Sequence, residues 1–294
     1  MNKSRHLQAG ALALFILIVG VLSGWMTMTA AGSPDELIGG FLLGPQAYSF
    51  RLFSFFEAID KAKQLGCHVI EAYPGQVLSP DDKTPFDHKS SPVVLSKVRS
   101  KLQESGIRIV NYGVVDLGNN ETENRKVFEF AKAMAIPAIT SEPAEGSMDL
   151  IERLVKEYNI RMAIHNHPKR PENPKYQYWD PNYVLTLVKD RDPRIGSAAD
   201  TGHWVRSGIK PVDALKILEG RIISSHMKDL NEFGPKAHDV PYGRGVSNIK
   251  GILDELRRQK FDGNISMEYE YHWRNSLPEL AQCVEFVRNC GKGQ

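Results

Sequence analysis

Three cysteines among 294 residues are too few for a disulfide scaffold, and their odd number leaves at least one thiol unpaired. Charge of one sign is also scarce. Lys and Arg number 37 and Asp and Glu 35, a formal charge of +2, which speaks against a strongly basic nucleic-acid binder. No internal repeat is present, and no linker suggests a second domain. Apolar residues at 41% and charged residues at 24% describe a globular chain, not a disordered one. Long apolar runs are confined to one place, the amino terminus.

That segment carries Lys3 and Arg5, then no charge from residue 7 to Pro34. Residues 11–22 are apolar apart from Gly20, and Thr29-Ala30-Ala31 follows with small side chains. The order of base, apolar core and small residues predicts a cleaved signal peptide over 1–31. The alternative is an uncleaved membrane anchor, since about 20 apolar residues span a bilayer. No cysteine follows the run, which speaks against a lipoprotein. Either reading places residues 32–294 outside the cytoplasm, periplasmic or secreted, with membrane contact only through an uncleaved segment. Without Lys3 and Arg5 that remainder has 35 charges of each sign. Cys67 begins an apolar segment and reads as core. Cys283 and Cys290 are seven apart in a predicted helix, about 10 Å between Cα atoms and too far for a bridge.

From Leu42 on, β-type and helical runs alternate. Strands are predicted over 42–50, 68–73, 107–115, 136–142, 161–167, 195–203, 222–229 and 264–271. Helices are predicted over 52–65, 93–104, 122–133, 148–158, 181–189, 211–218, 248–259 and 277–289. Helical apolar residues recur at three- and four-residue spacing, as at Leu253 and Leu256. Asp180 before Pro181, and Ser247 before Asn248, read as helix starts. Eight β/α units in about 260 residues predict a single-domain (β/α)8 TIM barrel. A doubly wound open sheet would show a Gly-rich phosphate turn after its first strand, and Gly44-Pro45-Gln46 is not one. Loops are predicted over 79–91 and 167–178, the second placed to cover a pocket.

Ionisable residues end the later strands, where barrel active sites are built. Glu142 ends the fourth, His165 and His167 the fifth, and Asp200 and His203 the sixth. His226, Lys228 and Asp229 end the seventh, and Glu268 and Glu270 lie in the eighth. Carboxylates converging in one mouth repel each other unless a cation is present. Glu142, Asp200, His226 and Glu268 form a mixed oxygen and nitrogen set that suits one divalent metal ion, Mn, Mg, Co or Zn. The competing arrangement is an ion-pair network with Lys228 or Arg161.

These segments resemble the xylose isomerase-like barrel superfamily, which includes sugar isomerases and epimerases, inosose dehydratases and endonuclease IV. The resemblance spans residues 42–287. It is carried by GPQAYSFR at 44–51, HVIEAYPG at 68–75, DTGHW at 200–204, SHMKD at 225–229, PYGRG at 241–245 and ISMEYE at 265–270. In the mononuclear sugar epimerases of that superfamily, the metal is held by Glu, Asp, His and Glu from strands four, six, seven and eight. The resemblance thus implies Glu142, Asp200, His226 and Glu268 as ligands, with Glu268 preferred over Glu270, and a substrate contact from His203. Period-two alternation puts Glu268 and Glu270 on one face, so that choice rests on the resemblance.

The chemistry expected is proton abstraction beside a sugar carbonyl through an enediolate, as in an isomerase or epimerase. Glu142 and Glu268 are the expected acid and base. Trp204 is a candidate apolar wall against a sugar face, or else a packing residue, and His165, His167 and Lys228 are further pocket residues. The turn Gly243-Arg244-Gly245 is either an anion site or, as preferred here, a turn that needs glycine. The expected partner is a sugar or keto-sugar, with no nucleic acid and with homo-oligomerisation left open. A lyase or dehydratase acting on a keto-sugar or oxidised glycoside with the same metal site shares the first step and is the main alternative. An endonuclease is disfavoured because VIEAYPG and IVNYGVV lack the extra histidines of endonuclease IV-like sites, and Ala237-His238-Asp239 replaces their Asp-x-His. A non-catalytic carbohydrate-binding protein would not need both Glu142 and Glu268.

Overall fold

The computed structural model describes residues 33–292. The leader expected over 1–31 lies outside the described residues. Among those described, no helix is long and apolar enough to cross a membrane.

Eight parallel strands form one sheet: β1 (Leu42–Pro45), β2 (Val69–Ala72), β3 (Arg108–Val115), β4 (Ala138–Ser141), β5 (Arg161–His165), β6 (Ile195–Asp200), β7 (Ile222–Met227) and β8 (Asn264–Met267). Their spatial order is β1-β8-β7-β6-β5-β4-β3-β2. A single parallel bridge between Gln46 and Glu71 joins β1 to β2 and rounds the sheet into a TIM barrel. Gly44 makes that closure possible, because a Cβ there would lie 2.1 Å from the Val69 carbonyl oxygen. Nearly every strand residue is buried, as expected of a parallel sheet covered on both faces.

Around the barrel lie α1 (Phe55–Gln64), α2 (Pro92–Ser105), α3 (Glu121–Ala133), α4 (Met148–Tyr158), α5 (Pro181–Val188), α6 (Thr201–Arg206), α7 (Pro211–Ile217), α8 (Ile249–Arg258) and α9 (Leu277–Gly291). Local chemistry sets their ends. Ser54 and Glu57 form a capping box at the start of α1. Pro92 opens α2 behind Ser91, and Gly106 closes it at φ 67°. In α8, Ile249, Ile252, Leu253 and Leu256 are buried along one face. Each such side chain contributes about 1.5–3 kcal/mol by leaving water.

The structure corrects several boundaries. The sixth strand stops at Asp200, and residues 201–206 are helix α6, so His203 stands on a helix rather than at a strand end. The cause is Asp200, whose Oδ1 accepts the His203 N–H at 2.7 Å as an N-cap. The eighth strand ends at Met267, leaving Glu268 and Glu270 just beyond it. Asp180 caps α5 as expected, but α8 is capped by Asn248 in the left-handed region, φ 59°, and not by Ser247. The segment predicted as a loop over 79–91 contains a short strand, Pro85–Phe86, paired with Gln76–Val77. All three cysteines are free, and Cys67 and Cys283 are buried.

Candidate active site

A cavity of about 320 Å³ opens at the carboxyl ends of the strands. It is lined by Gln46, Tyr48, Tyr73, His165, His167, His203, Glu268 and Glu270 among others. Five of these eight belong to the ionisable strand-end set, so the expected convergence on one mouth is what the fold produces.

Beneath it, one ligand atom each from His165, Asp200, His226 and Glu268 lie within 4.8 Å of one another. Local contacts aim these atoms. Capping of α6 uses Asp200 Oδ1 and leaves Oδ2 for the cluster. His226 Nε2 faces Glu71 Oε1 at 2.9 Å, which leaves Nδ1 on the cluster side, 3.2 Å from Glu268 Oε2. His165 Nδ1 lies 3.5 Å from Glu142 Oε1, and its Nε2 lies 3.5 Å from Asp200 Oδ2. Neither His165 Nε2 nor His226 Nδ1 makes a hydrogen bond. Two imidazoles, each backed by a carboxylate on its far nitrogen, together with two carboxylates, are a donor set that fits a divalent metal ion.

Glu142 is not one of these four; it forms a second group with His165 and His167, whose ligand atoms also lie within 4.8 Å of its own. The Glu142 carboxylate lies behind the cavity-lining His167. Its Oε1 is 2.6 Å from His167 Nδ1, accepts the His167 N–H at 3.0 Å, and accepts the Tyr176 hydroxyl at 2.5 Å. Tyr176 comes from the loop after β5. Burial pushes the Glu142 carboxyl up, but hydrogen bonds from His165 and His167 outweigh it and hold the group below its ordinary range.

An ion-pair network runs through the same cluster. The fully buried Lys228 ammonium lies 2.9 Å from Asp200 Oδ2, 2.8 Å from Glu268 Oε2 and 2.7 Å from Glu270 Oε2. Gly202 leaves room for it, since a Cβ there would meet Lys228 Cβ and Cδ at 2.7 Å. Carboxylate oxygens have more than one lone-pair direction, so these contacts leave Asp200 and Glu268 capacity as ligands. Burial works against the charge on Lys228, but the three carboxylates hold its pKa well above the ordinary lysine range. Burial is the largest influence on Glu270 and raises it, but Lys228 together with its other basic neighbours, Arg206 among them, outweighs burial and brings that carboxyl to about 2. Glu270 also pairs with Arg206 at 2.9 Å, and Arg206 with Asp239 at 3.0 Å. Arg161 takes no part and pairs with Asp262.

His203 lines the cavity, with Nδ1 3.1 Å from Arg206 Nη1. Burial drives its imidazole well below the ordinary range against the pull of Asp200, with Lys228 adding to the shift, so the ring is neutral. Trp204 does not reach the cavity: it is 1% exposed and packs in the hydrophobic core. The glycine turn is filled from within. Asp229 accepts N–H groups of Gly243, Gly245 and Ser247 at 2.8–3.0 Å, which leaves no nest for an outside anion. Sequence reasoning missed Glu71, Tyr48, Tyr73 and Tyr176. A carboxylate inside the apolar run VIEA was a usable signal for Glu71; the tyrosines carried none.

The family model of the xylose isomerase-like TIM barrel matches residues 59–290. No curated protein matches the chain. Among solved structures, an uncharacterized protein from Parabacteroides distasonis ATCC 8503 is 32% identical, with a TM-score of 0.68, over 85% of this chain and 99% of that one. D-Psicose 3-epimerase from Clostridium cellulolyticum H10, solved with D-tagatose, is 13% identical, with a TM-score of 0.62, over 84% and 98%. The probable 3-DHS dehydratase of petrobactin synthesis from Bacillus anthracis is 16% identical, with a TM-score of 0.58, over 83% and 97%. At these last two identities the likeness is one of fold.

Proposed function

Because the chain belongs to the xylose isomerase-like TIM barrel family, we propose that its mouth binds a neutral sugar and moves a proton at the carbon beside the carbonyl, as an isomerase or epimerase. The observation that carries this reading is the pairing of a four-residue donor cluster with proton-carrying side chains on the wall of one cavity. His165, Asp200, His226 and Glu268 would hold one divalent cation. Bound there, such an ion supplies Lewis acidity toward a carbonyl and its neighbouring hydroxyl.

The chain's own groups do the rest. Glu268 faces the cavity from one element and His167 from another, so a C–H between them has a proton acceptor and a proton donor at hand. Glu142 acts through His167, fixing the ring by its contact to Nδ1 and leaving Nε2 for the substrate. Neutral His203 hydrogen-bonds a hydroxyl. Lys228 and Arg206, which contact the cavity-lining Glu270, are already paired with carboxylates, which favours an uncharged sugar over a phosphate or sugar acid.

The test is incubation of the metal-loaded protein with ketoses in D2O. Deuterium appearing at the carbon next to the carbonyl, and abolished by Glu268→Gln in a folded protein, supports the reading. Its absence with every ketose tried, in metal-loaded protein, rejects it. An elimination product in place of an epimer would assign the chain to the lyase alternative, which shares the first step.

A further inference from the structure

A second hollow on the catalytic face is unused by this chemistry. It is a groove of about 820 Å³ over Leu52, Tyr271, His272, Trp273, Asn275 and Glu279. Two of the six large apolar side chains exposed among the described residues, Leu52 and Tyr271, line it. Leu52 follows β1 and residues 271–275 follow β8. These strands are neighbours in the sheet, and both loops leave their carboxyl ends, so the groove opens beside the cavity.

A run of rings joins the two hollows. Tyr73 and Tyr48 line the cavity and meet edge-on, with centroids 5.2 Å apart. Tyr48 in turn meets Trp273 edge-on at 5.7 Å, and Trp273 lines the groove. Arg51 braces this pair. Its guanidinium carbon is 4.9 Å from the Trp273 ring centroid and 5.0 Å from that of Tyr48, and Nη1 donates to the Tyr48 hydroxyl at 2.8 Å. The indole is thus held in place at the junction of groove and cavity.

We propose that this groove is a second sugar subsite, holding a glycosyl ring linked to the sugar in the cavity, so that the preferred substrate is a glycosylated keto-sugar rather than a free one. The inference rests on the reading that the cavity takes a sugar. A pyranose offers a face of C–H groups to an aromatic ring and hydroxyls around its edge. Trp273 and Tyr271 supply the aromatic surface, and Asn275, His272 and Glu279 supply donors and acceptors at the rim. Continuity through Tyr48 is what a linked second ring requires, since a separate ligand would need no such junction.

The experiment is calorimetric titration of the full chain with D-fructose and with maltulose, a glucosyl-fructose, alongside deuterium exchange on the same samples. Maltulose is expected to bind about tenfold more tightly than fructose. Trp273→Ala should remove most of that ratio and Trp273→Phe should keep most of it. Leu52→Lys, at a side chain 55% exposed and so free of any core role, should lower the ratio as well. Equal binding of the two sugars, a ratio untouched by Trp273→Ala and Leu52→Lys, or no binding of either sugar overturns the subsite. A Trp273-dependent preference without deuterium exchange upholds the subsite and rejects the proton-transfer reading. Exchange without the preference does the reverse.

Discussion

Glu71 and His226 meet across the barrel interior, Oε1 to Nε2 at 2.9 Å, from strands β2 and β7. Both are buried, and Ser266 donates its hydroxyl to the other Glu71 oxygen. The pair does for His226 what a free imidazole cannot do for itself: it holds Nε2 against Glu71 and turns Nδ1 toward Asp200 and Glu268, where it would be the atom to bind an ion. Outer carboxylates of this kind typically govern metal affinity by about 10–100-fold. Glu71→Gln should therefore weaken Mn²⁺ or Zn²⁺ binding by that factor, read by competition with a chelating dye. Unchanged affinity would mean that His226 is oriented by its backbone alone.

Lys228 poses a different question, because it neutralises the cluster from inside. Replacing it with Met leaves Asp200, Glu268 and Glu270 facing one another with no central cation. Breaking a buried pair by removing one partner costs roughly 3–5 kcal/mol. Lys228→Met should lose about that much in urea unfolding with chelator present, and should recover part of it when a divalent ion is added. Loss with no recovery would show that the cluster does not take up the ion.

How far the site could be read from the chain follows from these residues. Each strand-end acid or histidine stood out because an apolar residue was the default there, and seven of them do line or underlie one cavity. Which atoms meet depends on register and on helix caps. The pairing of Ser141 with Ile164 sets Glu142 level with His165, and its carboxylate turns to His167. Period-two alternation does place Glu268 and Glu270 together, yet both lie past the strand, where Lys228 binds them jointly. Helix α6 escaped notice because six residues carry little periodicity. The capping Asp200 before Thr-Gly-His was its one sign.

Acid stability should carry the mark of Asp192. Arg194 grips both of its carboxylate oxygens, at 2.8 and 2.9 Å, and donates its own N–H at 3.0 Å. The Arg194 side-chain hydrogen bonds are the largest cause, and with the backbone N–H they lower the carboxyl to about 2 against some burial. A folded pKa below the unfolded value gives stability that is present above about 4 and is lost as pH falls through about 2. Asp192→Asn should thus melt lower than the parent at pH 7, and the gap should narrow steadily from pH 5 to pH 2.5. A gap that stays constant with pH would assign the effect to packing.

Glu142 allows the two assignments of this carboxylate to be separated. As a metal ligand, its conversion to Gln would empty the site. As the partner of His167 Nδ1 at 2.6 Å, the same change would leave His165, Asp200, His226 and Glu268 in place and alter only the ring behind the proton transfer. The geometry favours the second outcome: Glu142→Gln should retain a full complement of metal by elemental analysis while turnover falls by about 10²–10⁴, the usual worth of a positioned acid or base. His167→Ala should show a similar loss, and the double variant should be little worse than either single one, because residues acting as one unit do not add. Additive losses would separate the two residues. Metal loss in Glu142→Gln alone would return Glu142 to the ligand set, with His165 displaced from it.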